Sequence, residues 1–101
     1  DSGPCRSYIA PGDLARVFAA LMRLPEDDLP DILNVAAPEP VAMADLARAA
    51  GRPPIWRDAT AGAQPCISLD TARLGHLLPG AVRCTTPAQM IDDWHRLEPP
   101  R

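Results

Sequence analysis

Arg6-Ser7-Tyr8-Ile9-Ala10-Pro11-Gly12-Asp13-Leu14-Ala15 is the stretch around which the chain is read. Arg6, Tyr8 and Ile9 belong to an extended segment. Pro11-Gly12 predicts a turn, since proline fixes φ and glycine admits conformations that other residues avoid. Asp13 is expected as the N-cap of a helix that carries the apolar run Leu14, Val17, Phe18, Leu21 and Met22. Those positions recur at i, i+3, i+4, i+7 and i+8, a single stripe facing a core. An arginine on an extended edge, beside a turn and just ahead of a helix, is a workable anion site. Its guanidinium presents a fork of donors to a phosphate.

The totals frame this reading. With 101 residues the chain is one small domain, and 47% hydrophobic residues argue for a folded one. Only Tyr8, Phe18, Trp56 and Trp94 are aromatic, so the core is expected to be Leu, Val, Ile, Met and Ala. The formal charge is −3 with no basic block, which excludes a nucleic-acid footprint. No apolar run approaches the roughly 18 residues of a membrane span. No charged segment followed by an apolar one opens the chain, and Asp1 to Cys5 does not read as the start of a complete protein. Cys5, Cys66 and Cys84 are odd in number, widely spaced and without a CxxC pair. Free thiols in a reducing, cytoplasmic compartment are expected.

Beyond the opening stretch, the first helix is expected from Leu14 to about Arg23, ended by Pro25. Ile32 to Ala36 reads as a short buried strand, and Pro38 and Pro40 force a loop. Met43 to Ala50 is a second helix, stopped by Gly51 with Arg48 in its last turn. Pro54 to Arg57 reads as extended, Ala59 to Pro65 as a loop over a site, and Cys66 to Leu69 as extended. Asp70 is expected to cap a third helix that ends at Pro79-Gly80. Thr86 as N-cap and Pro87 at the first helical position open a fourth, with Met90, Ile91, Trp94 and Leu97 as its stripe. Glu98 to Arg101 reads as a frayed tail. The expected fold class is α/β: a small mixed α+β lobe of short strands and about four helices.

Other side chains carry weaker chemistry. His76, His95 and the cysteines match no zinc-ligand spacing. Asp92 and Asp93 are adjacent on a helix and diverge, so they share no proton; that pair and Asp27-Asp28, in the loop after Pro25, are expected to be solvated. No cysteine is placed for a Cys–His–Asp hydrolase, and Cys66 is expected to be simply buried.

Arg6-x-Tyr8-Ile9 with Asp13-Leu14-Ala15 resembles the segment opening the C-terminal part of NAD-dependent epimerases and dehydratases, the extended short-chain dehydrogenase/reductase family. Ser7, Ala10 and Pro11 depart from the family's usual residues. Asn34-Val35, then Pro40-Val41-Ala42-Met43 and Asp45-Leu46-Ala47, is similar to the family's strand, loop and small helix. Leu69-Asp70-x-x-Arg73-Leu74 and Thr85-Thr86-Pro87 with Ile91 and Trp94 are similar to later segments, in the family's order. The resemblance spans Arg6 to Leu97.

That resemblance implies that Arg6 contacts the diphosphate of a nucleotide-sugar, and Tyr8 beside it is expected either to stack on or bond the ligand or to be a half-buried strand Tyr. The family's second diphosphate arginine lies between the Trp56 region and Asp70. Arg57 is the only basic residue there, at a longer spacing from Asp70 than usual. The dinucleotide fingerprint needs a Gly-rich strand-to-helix turn, and the six glycines are scattered singly. The family's base is a Tyr with a Lys four residues on, and this chain has no Lys. The first expectation is therefore the C-terminal substrate-binding lobe of a longer Rossmann-type enzyme. That enzyme uses NAD or NADP, supplied by its own N-terminal Rossmann domain, and forms a homo-oligomer through that domain. The fragment itself binds no cofactor or metal and has no catalytic residue. The second expectation is a non-enzymatic small α/β association module. An apolar face of more than a few hundred Å2 would favour the lobe.

Overall fold

In the computed structural model the described residues are 4–55 and 66–97. They form a small mixed α+β lobe with four α-helices and a three-stranded sheet. The middle strand is β1 (Cys5–Arg6). β2 (Val41–Ala42) lies antiparallel to it, with Cys5 opposite Ala42 and Arg6 opposite Val41. β3 (Cys66–Ile67) lies parallel on the other side, with Cys5 opposite Cys66 and Arg6 opposite Ile67. Pro4, Pro40 and Pro65 immediately precede the three strands in sequence. Each lacks the N–H that would extend a ladder, which suits strands of two residues.

Helix α1 (Pro11–Met22) starts earlier than the sequence predicts. Pro11 occupies the first helical position, where a missing N–H costs nothing. Pro11-Gly12 is thus the first turn of the helix rather than a separate bend. The extended Ala10 is the N-cap and offers no side chain to do the capping. Asp93 supplies it from a distance, accepting the Gly12 N–H at 2.7 Å. Asp13 is therefore not the cap; it lies inside the helix and is fully buried. The inward face follows from this. Val17 is fully buried, whereas Phe18 is 58% and Met22 86% exposed, so the expected apolar stripe is only partly the buried one.

Ile32 to Ala36 is not a strand. Pro30 and Pro38 bracket it, and it is tied to the β1 segment by the Ala37 N–H donating to the Tyr8 carbonyl at 2.7 Å. Leu33 and Val35 pack inward while Ile32 remains 73% exposed. A short 3-10 turn, Glu26–Asp28, precedes this segment.

The later helices follow local rules more closely. α2 (Met43–Ala49) ends where Gly51 takes φ 76°. The Gly51 N–H donates to Arg48 and the Arg52 N–H to Ala47, a Schellman closure that satisfies the last carbonyls. α3 (Ala72–Leu77) has Thr71 as its N-cap position, and the carboxylate of Asp70, one residue earlier, accepts the Ala72 N–H at 3.0 Å. α4 (Pro87–Leu97) opens with a capping box. Gln89 N–H donates to Thr86 Oγ1, and Gln89 Oε1 accepts the N–H groups of Thr85 and Thr86. Its buried edge is Met90 and Asp93; Trp94 and Leu97 are largely exposed.

Two apolar clusters hold these elements together. Ala10, Ala37, Val41, Cys84 and Met90 form one, with Tyr8 and Leu46 packed on it. Val17, Leu74 and Leu78 form the other, with Ile9, Leu21, Leu33 and Val35 around them. Val82 touches both. Cys5 and Cys66 are bridged, with Cα atoms 4.5 Å apart. The expectation of three free thiols fails for these two, because the parallel β1–β3 register sets them side by side despite a sequence separation of 61. Cys66 is also exposed rather than buried. Cys84 is free and buried.

Candidate functional site: a polar seam from the central strand to helix α3

Ser7 begins the seam. Just past β1, its N–H donates to the Ile67 carbonyl at 3.1 Å, continuing the pairing with β3. Its Oγ accepts the Leu69 N–H at 2.8 Å. The chain leaving β3 is therefore fixed to β1 until it reaches Asp70. There Asn34 Nδ2 donates to the Asp70 carbonyl at 3.1 Å. Arg73, on α3, reaches back to donate to the Ile32 carbonyl at 2.9 Å. Ile32, Asn34, Asp70, Ala72 and Arg73 surround an open cleft of about 510 Å3. Carboxylate, amide and guanidinium groups face one space, a set able to bind a polyhydroxylated or anionic molecule.

The residues expected to bind substrate are placed as follows. Arg6 is half-buried on the central strand, its Nη1 donating to the Cys5 carbonyl at 2.7 Å. Tyr8 is half-buried against the Ala10–Met90 cluster. Neither is among the residues lining the 510 Å3 cleft, although Ser7 between them is bonded to the segment that leads there. Arg57 and the expected loop Ala59 to Pro65 lie outside the described residues. Asn34, Asp70 and Arg73 are matched singly by the resemblance. That they meet was missed, since 36 positions separate Asn34 from Asp70.

Asp13 is the most constrained titratable group. Its carboxylate accepts the N–H of Cys84 at 2.8 Å, that of Arg83 at 3.1 Å, and the guanidinium of Arg16. Burial pushes its pKa up, but the Cys84 N–H, the Arg16 guanidinium and the Arg83 N–H outweigh it and hold the carboxyl below its ordinary value. Asp93 is likewise buried rather than solvated, bonded to Gly12 and Arg96. Both carboxylates join elements of the fold.

Cys84 and His95 line one surface depression with Asp92. Burial, then the charges of Asp13 and Asp93, push the Cys84 thiol up, away from the thiolate a nucleophile needs. His95 stacks with Trp94 instead, ring centroids 5.3 Å apart. Among the described residues no group of three or more His, Cys, Asp or Glu side chains could hold a metal ion.

The N-terminus of α1 is where a strand-to-helix phosphate site would form, and Gly12 is its glycine. Its N–H is already taken by the Asp93 carboxylate, so a dinucleotide pyrophosphate does not fit there. No helix among the described residues is long and apolar enough to cross a membrane. Comparison with protein-family models, with curated proteins and with solved structures finds no match to this chain.

Proposed function

We propose that this chain is the substrate-binding lobe of an NAD(P)-dependent epimerase or dehydratase acting on a nucleotide-sugar. The observation that carries the reading is the seam. Three of the four segments that resemble the family are hydrogen-bonded in series through Ser7–Leu69 and Asn34–Asp70, and the two that carry Asn34 and Asp70 line one cleft. In this reading Arg6 grips the diphosphate from the central strand, Arg57 is the family's second diphosphate arginine, and the Asn34–Asp70–Arg73 cleft takes a polar part of the substrate. Hydride transfer and the Tyr–Lys pair belong to an N-terminal Rossmann domain of the parent protein, which binds NAD or NADP. The parent pairs with a second copy through that domain.

A second observation favours docking onto a further domain. Phe18, Met22, Leu29 and Ile32 expose their apolar side chains, and Phe18, Leu21, Met22, Leu29, Pro30 and Leu33 line an apolar groove of about 330 Å3. Such a face would equally serve the non-enzymatic association module, which therefore remains the rival.

The test uses the whole gene product with nucleoside-diphosphate sugars and either dinucleotide. Arg6→Ala removes a charge-assisted contact worth about 1.5–3 kcal/mol, so KM for the sugar nucleotide rises roughly tenfold or more. An unchanged KM, or a gene product that binds no dinucleotide, overturns the reading. The 101-residue chain by itself is expected to take up no NAD in calorimetry. Saturable uptake would count against the assignment of the cofactor to another domain.

A further inference from the structure

Helix α1 carries Arg16, and its C-cap Arg23 follows seven residues on, on the same face and about 10 Å along the axis. The turn after α3 packs alongside and brings Arg83 to the same place. Arg16, Arg23 and Arg83 line a cleft of about 360 Å3 whose floor includes Leu77, Gly80 and Ala81. Three of the chain's ten cationic side chains thus gather at one concavity of an acidic protein.

Arg16 is fixed in place: its Nε donates to the Ala81 carbonyl at 3.3 Å, and its Nη2 to the buried Asp13. Arg23 and Arg83 are exposed, and neither forms an ion pair among the described residues. The opposing charges are limited. Asp13 offsets one guanidinium, Asp93 also acts on Arg16, the carbonyl ends of α1 and α3 each contribute at most roughly half a negative charge, and Glu26, Asp27 and Asp28 follow Arg23 in the next turn; none of these carboxylates lines the cleft. The charged side chains that line the cleft are all guanidiniums, so an anion placed there meets three of them directly.

We propose that this cleft binds a phosphoryl oxyanion, a phosphate monoester or diphosphate of a small molecule, clamped between Arg23 and Arg83 with Arg16 as the fixed wall. Guanidinium forks suit phosphate oxygens better than a single carboxylate, because several donors meet several acceptors in one plane. The site is separate from Arg6, which precedes α1, whereas Arg23 follows its last turn; the helix is about 18 Å long.

The experiment is an amide NMR titration of the 101-residue chain with inorganic phosphate and with pyrophosphate, at constant ionic strength maintained with sodium acetate. Saturable shifts are expected at Arg23, Gly80, Ala81 and Arg83, with pyrophosphate binding tighter than phosphate. Arg23→Gln and Arg83→Gln are exposed changes that spare the Asp13–Arg16 pair. Each is expected to weaken binding about tenfold with the spectrum otherwise unchanged. Arg6→Gln leaves these shifts as they were, which separates this site from the diphosphate role given to Arg6. Linear shifts that acetate reproduces, or binding unaltered in both Arg23→Gln and Arg83→Gln, would overturn the proposal.

Discussion

Replacing Asp13 with alanine removes one acceptor from three donors at once. The Cys84 N–H is buried, and with no acceptor it costs about 1–3 kcal/mol. The Arg83 N–H is partly buried and adds about 1 kcal/mol for the lost bond to a charged group. Arg16 keeps about a third of its side chain exposed and can rehydrate, so its lost ion pair adds little. The sum is about 3 kcal/mol, a large part of the roughly 5–15 kcal/mol that holds a domain folded. With a urea m-value of about 1.5 kcal/mol/M, the unfolding midpoint falls by about 2 M. Asp92→Ala is the control. Asp92 is an exposed carboxylate on α4, next to the buried Asp93, and its loss is expected to cost less than about 0.5 kcal/mol. The assay is urea unfolding followed by far-ultraviolet circular dichroism. A shift below about 0.5 M for Asp13→Ala at unchanged m, or one no larger than that of Asp92→Ala, refutes the role assigned to this side chain.

The same carboxylate predicts a pH dependence: its folded pKa lies below its unfolded value. Its contribution is therefore complete above about pH 4–5 and is lost as pH falls through the folded value; Asp13→Ala should flatten that part of the acid limb in urea midpoints measured against pH. Gly12→Ala would place a methyl group 2.7 Å from Asp93 Oδ1, so the capping carboxylate must move; about 1–2 kcal/mol of destabilisation is expected in thermal melts, and a neutral result would mean that the cap is dispensable. Gly51→Ala and Gly75→Ala should differ in sign. The first forces alanine to a φ of 76° and costs about 1 kcal/mol, whereas the second fills open space in α3 and stabilises by about 0.5–1 kcal/mol. Thr86→Ala is expected to cost about 1 kcal/mol through the capping box that opens α4.

Where a local rule fixes the backbone, the sequence is readable. Thr86-Pro87 marks the start of α4, and Gly51 marks the end of α2, because the groups they satisfy lie within a few residues. Where a distant residue does the work, it is not. Asp13 looks like a cap until Arg83 and Cys84 occupy its oxygens, and the true cap of α1 is supplied by Asp93, 81 positions away. Phe18 and Met22 satisfy a helical period that also fits Asp13 and Val17 on a neighbouring arc, and periodicity cannot tell which arc is covered. Ile32 to Ala36 has strand composition, but prolines bracket it and leave it outside the ladder. The candidate site divides the same way. Arg6, Asn34, Asp70 and Arg73 are each visible as residue types in a recognisable order. Asn34, Asp70 and Arg73 meet because the chain leaving β3 is tied back to Ser7, while Arg6 stays outside their cleft; that tie and the Cys5–Cys66 bridge both depend on the β1–β3 register, and nothing in the spacing encodes it.

The most direct measurement is to read the coding frame upstream of the Asp1 codon. The account predicts a Gly-rich strand–turn–helix and, further on, a Tyr with a Lys four residues later, both ahead of this lobe. A frame that encodes neither would contradict it.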